Sequence, residues 1–261
     1  SAASDVYKRQ VITMLKTFRR QLLYVDRIRG LIAYLRYFYY GKVRGMFRTL
    51  NAEKMDPVTV RHNLRSIIPL MSSRRSHLFI RPLSVIEQVH ENSRVLVIGP
   101  RTEGELLLFV AYGFNPSSIR GLDLISYSPW VEAADMHSIP YPDNSWDVVV
   151  SGMVLPYSED QKLATAEMLR VVKHGGIIVI ALEFLADTSS DEYIKRDGYA
   201  IQSGMGDKRV QTVQGLLNFF AGYVDTVFFQ QDGYISPTPN MMKGSPTSTV
   251  VVIFSVKKES T

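Results

Sequence analysis

The chain has 261 residues, 46% of them hydrophobic, no cysteine and a formal net charge of +5. That composition supports a packed globular core, and the missing cysteine excludes disulfides, thiolate metal sites and cysteine nucleophiles. Residues 1–90 hold 17 Lys and Arg against 5 Asp and Glu, whereas residues 91–261 hold 13 against 20. The basic part can attract phosphate-bearing partners, or it can be a solvated helical surface packed on the acidic half. No apolar run reaches the roughly 18 residues of a membrane span and no signal-type core opens the chain, so a cytoplasmic protein is expected.

Ser1 to Gln10 show no apolar period and read as non-native or disordered sequence outside the fold. From Val11 the apolar residues recur at Val11, Leu15, Phe18, Leu22, Val25, Ile28, Ile32, Leu35 and Phe38. These steps of three and four predict helices with one apolar face, broken at Gly30 and Gly41. Arg and Lys fill other positions, and Tyr34, Tyr37, Tyr39 and Tyr40 add amphipathic rings. The mixture suits a membrane interface, sugar rings or stacked bases, or simply half-buried packing against the rest of the chain. Asp56-Pro57 opens a further predicted helix through Arg65, and Arg81 to His90 reads as a short helix leading to the first strand. Residues 1–80 thus form a basic helical extension, and residues 81–261 the main domain.

In the main domain, apolar runs end in Gly, Asp or Ser and alternate with helix-length segments. That pattern predicts an α/β fold, a doubly wound Rossmann-like sheet whose ligand lies across the carboxyl ends of the strands. The first strand, Arg94 to Ile98, runs into Gly99-Pro100-Arg101-Thr102-Glu103-Gly104 and a helix from Glu103 to Tyr112. A glycine there permits close approach of a ligand to the backbone. The second strand ends in Asp123, 24 positions after Gly99, where a carboxylate can accept hydrogen bonds from both ribose hydroxyls. The segment from Leu124 to Ala134 is too short for a crossover helix, so Tyr127, Pro129 and Trp130 are expected in a tight loop. Trp130 either takes a stacking role there or plugs the space of the missing helix.

D-M-H-S-I-P-Y-P-D-N-S-W-D-V-V-V, from Asp135 to Val150, resembles the D-x-x-x-L-P-F-x-D-x-S-F-D-x-V pattern of class I S-adenosylmethionine-dependent methyltransferases of the type 11-like group. E-M-L-R-V-V-K-H-G-G-I-I-V-I, from Glu167 to Ile180, resembles their E-x-x-R-V-L-K-P-G-G strand-entry motif. The resemblance spans residues 93–184 and implies a seven-stranded, mostly parallel sheet with an antiparallel last strand. The β-rich runs Val224 to Gln230 and Thr249 to Val256 fit its closing hairpin. It further implies S-adenosyl-L-methionine as cofactor. Gly99 and its loop, with Arg101, Thr102 and Glu103, would pass beneath the methionine and ribose. Asp123 would hold the ribose hydroxyls with Leu124 against the adenine. Asp135 would take the adenine amino group with Met136 beside it, and Ser151 would line the methionyl end. The family's loop is usually D/E-x-G-x-G-x-G. Here Val97, Arg101 and Glu103 depart from it, which leaves Arg101 or Glu103 to contact the methionine carboxylate or ammonium.

Methyl transfer from a sulfonium is an in-line displacement driven largely by positioning, and it needs a base only if the acceptor must lose a proton. His137, Tyr157 and Glu183 stand near the strand ends, and none is assigned as a base. No metal-ligand spacing is present. The expected activity is methyl transfer to an O or N atom of a small molecule, sugar or lipid-linked glycan acceptor. The alternatives are a non-catalytic methyltransferase-fold binding protein and an RNA-directed methyltransferase using the basic half. Peripheral membrane contact through the N-terminal helices is a further expectation. Deleting residues 1–50 is expected to weaken acceptor use while sparing the cofactor.

Overall fold

The computed structural model describes residues 2–50, 74–100, 102–158, 160–185, 210, 212–235 and 247–258. The predicted helix from Asp56 to Arg65 lies outside the described residues. Two N-terminal helices, α1 (Ala2–Tyr24) and α2 (Asp26–Tyr37), continue into a π-helical turn at Phe38–Val43 and a short strand β1 (Arg48–Thr49). The main domain follows with α3 (His77–Leu83), β2 (Val95–Ile98), α4 (Glu103–Ala111), β3 (Ile119–Asp123), β4 (Ile125–Ser126) and β5 (Val131–Ala133). It continues with β6 (Trp146–Gly152), α5 (Gln161–Val171), β7 (Val172–Leu185), α6 (Val213–Asn218), β8 (Val224–Ile235) and β9 (Thr247–Val256).

Seven strands form one sheet in the order β5-β3-β2-β6-β7-β9-β8. The first five are parallel, and β9 inserts antiparallel between β7 and β8. The expected doubly wound sheet with an antiparallel last strand is therefore the observed one. All four residues of β2 are buried, as a central strand covered on both faces requires. Alternation then divides the core. Val95, Val97, Val148, Val150, Ile177 and Val179 face the α3 and α4 side, while Leu96, Ile98, Val149, Ile178 and Ile180 face Ala164, Met168 and Leu216 of α5 and α6. The order of winding reverses at β2, and the crossovers leaving β2 and β6 pass through α4 and α5 on opposite faces, so the connections part at the carboxyl end of β2, the place where such sheets take a ligand.

The N-terminal helices differ from expectation in three ways. The helix begins at Ala2, since residues 2–10 contain no Gly or Pro to stop it. The break falls at Val25, and Gly30 lies inside α2. The cause is Arg29, only 1% exposed, whose Nη1 donates to the Leu23 carbonyl at 2.7 Å, closing the carboxyl end of α1, while Nη2 pairs with Asp26 at 2.5 Å. Third, much of the predicted apolar face points outward: Leu15, Phe18, Val25, Leu35 and Phe38 are exposed, whereas Leu23, Arg29 and Ala33 are buried. The helix expected at Arg81 to His90 lies earlier, as α3, because Phe79, Ile80 and Leu83 supply its fully buried face. Among the described residues no helix is long and apolar enough to cross a membrane.

Candidate functional site

The carboxyl ends of β2, β3, β5 and β6 bring Gly99, Asp123, Asp135 and Ser151 to one rim of the sheet. Gly99 adopts φ +65° and donates its N–H to the Leu122 carbonyl at 2.7 Å. A Cβ on it would fall 2.5 Å from Val154 Cγ2. The space that glycine opens is therefore taken by Val154, the residue that follows β6 around the rim. Thr102 caps α4, its hydroxyl accepting from Gly104 N at 3.2 Å.

Glu103, the first residue of α4, is fully buried. Arg36 of α2 grips its carboxylate with Nε on Oε2 and Nη2 on Oε1, the latter at 3.0 Å. The Glu103 N–H donates to the Tyr127 hydroxyl at 3.1 Å. The Arg36 guanidinium also lies 5.1 Å from the Tyr40 ring and 5.2 Å from the Trp130 ring. The hydrogen bond to Glu103 holds Arg36 above its usual value, and burial pushes the Tyr127 hydroxyl up. The Glu103 carboxylate is thus spent inside the protein, and Arg101 lies outside the described residues. Trp130 packs against the core and donates Nε1–H to the Pro116 carbonyl at 3.0 Å. With Tyr127 it lines the Arg36 cluster.

This clamp alters one expectation. Residues 1–50 contain the partner of a buried charge in the glycine loop, so removing them disturbs the cofactor side of the site as well as any acceptor side. Sequence reasoning missed Arg36, because its partner is 67 residues away and no local spacing announces the pair.

Asp123 is half-buried, and its Oδ1 accepts the Ile125 N–H at 3.2 Å. Leu124 beside it is also half-buried, and its carbonyl accepts the Leu50 N–H at 2.8 Å, where β1 pairs antiparallel with β4. Asp135 keeps 39% of its side chain exposed. Its Oδ1 receives the His137 N–H at 2.9 Å and His137 Nδ1 at 2.6 Å, while His137 Nε2 lies 2.7 Å from the buried Ser158 hydroxyl. A carboxylate only accepts, so Nδ1 is the donor and the imidazole is oriented at both ends. Met136 packs on the α5 side of the core. Of the other base candidates, Glu183 is paired with Arg75, and Tyr157 is 37% exposed. Ser151 is fully buried, and its Oγ has no hydrogen-bond partner among the described residues.

The two sequence motifs meet in space. Arg170 of the second donates to the Ile139 and Tyr141 carbonyls, each at 2.8 Å, and to Asp143 Oδ1 at 2.7 Å in the first. Glu167 accepts the Ile139 N–H at 2.7 Å and pairs with Arg170. The loop after Asp135 is thereby fastened to α5.

Residues 118–180 match the methyltransferase domain family. The chain is 36% identical over 59 residues to a malonyl-[acyl-carrier protein] O-methyltransferase of Halorhodospira halophila, 21% of this chain and 20% of that protein. It is 30% identical over 102 residues to the protein of the same description from Yersinia pestis, 37% of this chain and 36% of that one. The matches thus span between a fifth and two fifths of those relatives. The crystal structure of MccD protein superposes with a TM-score of 0.51 at 14% identity, covering 71% of this chain and 97% of that one. The fold is the Rossmann-like one shared with that structure, and residues 118–180 carry the signature of a methyltransferase domain.

The residues present fit S-adenosylmethionine, the cofactor of such domains. Two partly exposed carboxylates stand on neighbouring strand ends, suited to the donors of a ribose and an adenine amino group, and Ser151 offers a buried hydroxyl still short of a partner. Among the described residues no cluster of three His, Asp or Glu could hold a metal ion.

Proposed function

We propose that this protein transfers a methyl group from S-adenosylmethionine to an oxygen atom of a small-molecule, sugar or lipid-linked acceptor. The observation that carries the reading is the pairing of Asp123 with Asp135 on one rim. Asp123 lies opposite Ala133 in the parallel register, and Asp135 follows two residues on, about 7 Å of extended chain. Asp123 would hold the ribose and Asp135 the adenine edge, with Leu124 and Met136 beside the base. Ser151 would meet the methionyl end. When bound, the cofactor supplies an electrophilic methyl group.

Oxygen is favoured over nitrogen by two facts. The curated relatives are described as O-methyltransferases. Both ring nitrogens of His137 are engaged and Glu183 is paired with Arg75, so an acceptor that is already an anion, such as a carboxylate, suits the site better than one that must be deprotonated. Val154 in the space over Gly99 favours a second reading, a methyltransferase-fold binding protein without catalysis.

Titration calorimetry with S-adenosylmethionine and S-adenosylhomocysteine separates the two, followed by transfer of labelled methyl to carboxylate and hydroxyl acceptors. Micromolar binding with inhibition by the homocysteine product supports the enzyme. A folded protein that binds neither compound sinks it.

A further inference from the structure

We propose that the outward face of α1, α2 and the π-helical turn is an interfacial docking surface for an anionic lipid bilayer. Thirteen of the eighteen large apolar side chains exposed among the described residues fall between Tyr7 and Phe47. They are ordered. In α2 and the turn, Leu31, Tyr34, Leu35, Phe38 and Tyr39 follow one another at i, i+3, i+4, i+7 and i+8, and each is 38–56% exposed. That is the spacing of a single apolar stripe, here turned away from the core. In α1, Tyr7, Met14 and Phe18 continue the outward pattern, as does Val25 at the break.

The orientation is held from the inside. Arg29 is buried on the α1 terminus, and Arg36 is locked on the buried Glu103. Rolling α2 to hide its leucines would strip both guanidinium groups of their partners and leave the Glu103 charge alone, so the stripe stays outside.

Charge complementarity identifies the occupant. Residues 2–50 carry eleven Lys and Arg against two Asp; Arg20, Arg29 and Arg36 are engaged with Glu91, Asp26 and Glu103, which leaves eight cations and one acid for the rest of this surface. Arg27 and Lys42, both exposed, lie four residues before Leu31 and four after Phe38, on the same helical row. An apolar stripe flanked by cations is what lies in the headgroup plane of a membrane, with rings and aliphatic chains below and cationic groups at phosphate depth. Since no described helix can span, the helices lie on the surface. A second copy of the chain would bring two cationic faces together, which opposes pairing. A nucleic acid would gain nothing from the central Leu31, Leu35 and Phe38, which offer apolar bulk where a backbone groove offers cations.

The test uses the full chain with vesicles of phosphatidylcholine alone and of phosphatidylcholine with phosphatidylglycerol, separated by sedimentation. The chain is expected to sediment with the anionic vesicles only. Leu35→Glu with Phe38→Glu, and separately Arg27→Glu with Lys42→Glu, should each weaken binding about tenfold or more while leaving the circular dichroism spectrum and melting temperature unchanged. The proposal is overturned if the unaltered chain ignores anionic vesicles or if both double variants sediment like it. It is equally overturned if the face is occupied by a second copy, seen as a dimer that Leu35→Glu with Phe38→Glu dissociates. Salt-sensitive binding to single-stranded RNA without vesicle binding would give the surface to nucleic acid instead. Cofactor binding plays no part in these readouts, so they stand whatever the calorimetry shows.

Discussion

Arg36, in a helix of the N-terminal extension, forms a two-pronged ion pair with Glu103, the fully buried first residue of the helix that follows the glycine loop. The extension is therefore an internal support of the candidate cofactor site. Arg36→Ala leaves a buried carboxylate without its cation and should cost about 2 to 3 kcal/mol, below the value for a wholly buried pair because Arg36 keeps 32% of its side chain in water. Urea denaturation measures this, and Glu103→Gln placed in the Arg36→Ala background should recover much of the loss. Exchange of the amide protons at residues 103–106 should quicken in Arg36→Ala alone. Equal stability of all three proteins would show the pair to be inert.

Asp123→Ala should weaken S-adenosylhomocysteine binding by about 1 to 3 kcal/mol, the scale for losing hydrogen bonds to a charged acceptor. His137→Ala removes the imidazole bond to the Asp135 carboxylate, with the Ser158 contact that orients the ring, and leaves the backbone N–H bond in place. It should weaken the same binding by less, about 1 kcal/mol. Calorimetry checks both. If His137→Ala proves the more damaging, the imidazole meets the ligand directly.

The Arg170 hydrogen bond holds the Glu167 carboxyl below its usual value. The unfolded chain then binds the proton more readily than the folded one. The stability this group contributes is complete above the ordinary carboxylate value and is lost as pH falls through the lowered folded value. Glu167→Gln should lower stability at neutral pH and flatten the acid limb of the stability profile below the ordinary carboxylate value. Thermal unfolding across that range decides the point, and an acid limb of unchanged slope would assign the titration elsewhere.

Gly99→Ala faces two penalties, the positive φ and the contact with Val154. The first costs about 1 to 2 kcal/mol for an L-residue, and the clash adds to it. Val154→Ala in the same chain removes the two Cγ atoms but keeps a Cβ 2.8 Å away, so it should relieve the second penalty only in part and leave a protein between Gly99→Ala and the unaltered chain by denaturant titration. If the double variant is no more stable than Gly99→Ala, the Val154 contact is not what the glycine accommodates.

The strands were readable because each is a short apolar run closed by Gly, Asp or Ser, and a strand buried on both faces needs little more than that. Asp123 was readable for a related reason, since it ends such a run, whereas Asp135 was readable only through the motif it opens, the strand β5 before it having been expected as a loop. The short link from Leu124 to Ala134 likewise announced its lack of a helix by length. The N-terminal helices were readable as helices, but their inward face was not. Period 3.6 identifies a stripe without saying where it points, and here the buried Arg29 and Arg36, held on a buried carboxylate, turn the apolar stripe outward. Gly30 looked like the break, yet Arg29 closing the carboxyl end of α1 moved it to Val25.

By itself, then, the order of residues determined the wound sheet and Asp123 on its rim, since each depends on patterns a few residues long, and its motifs, through the family they resemble, implied the antiparallel last strand and Asp135. Only the tertiary structure decided that Glu103 belongs to Arg36, that Val154 fills the space above Gly99 and that His137 steadies Asp135 against Ser158. Those are contacts between distant segments, and electrostatics and packing select them only once the sheet has brought its strand ends together.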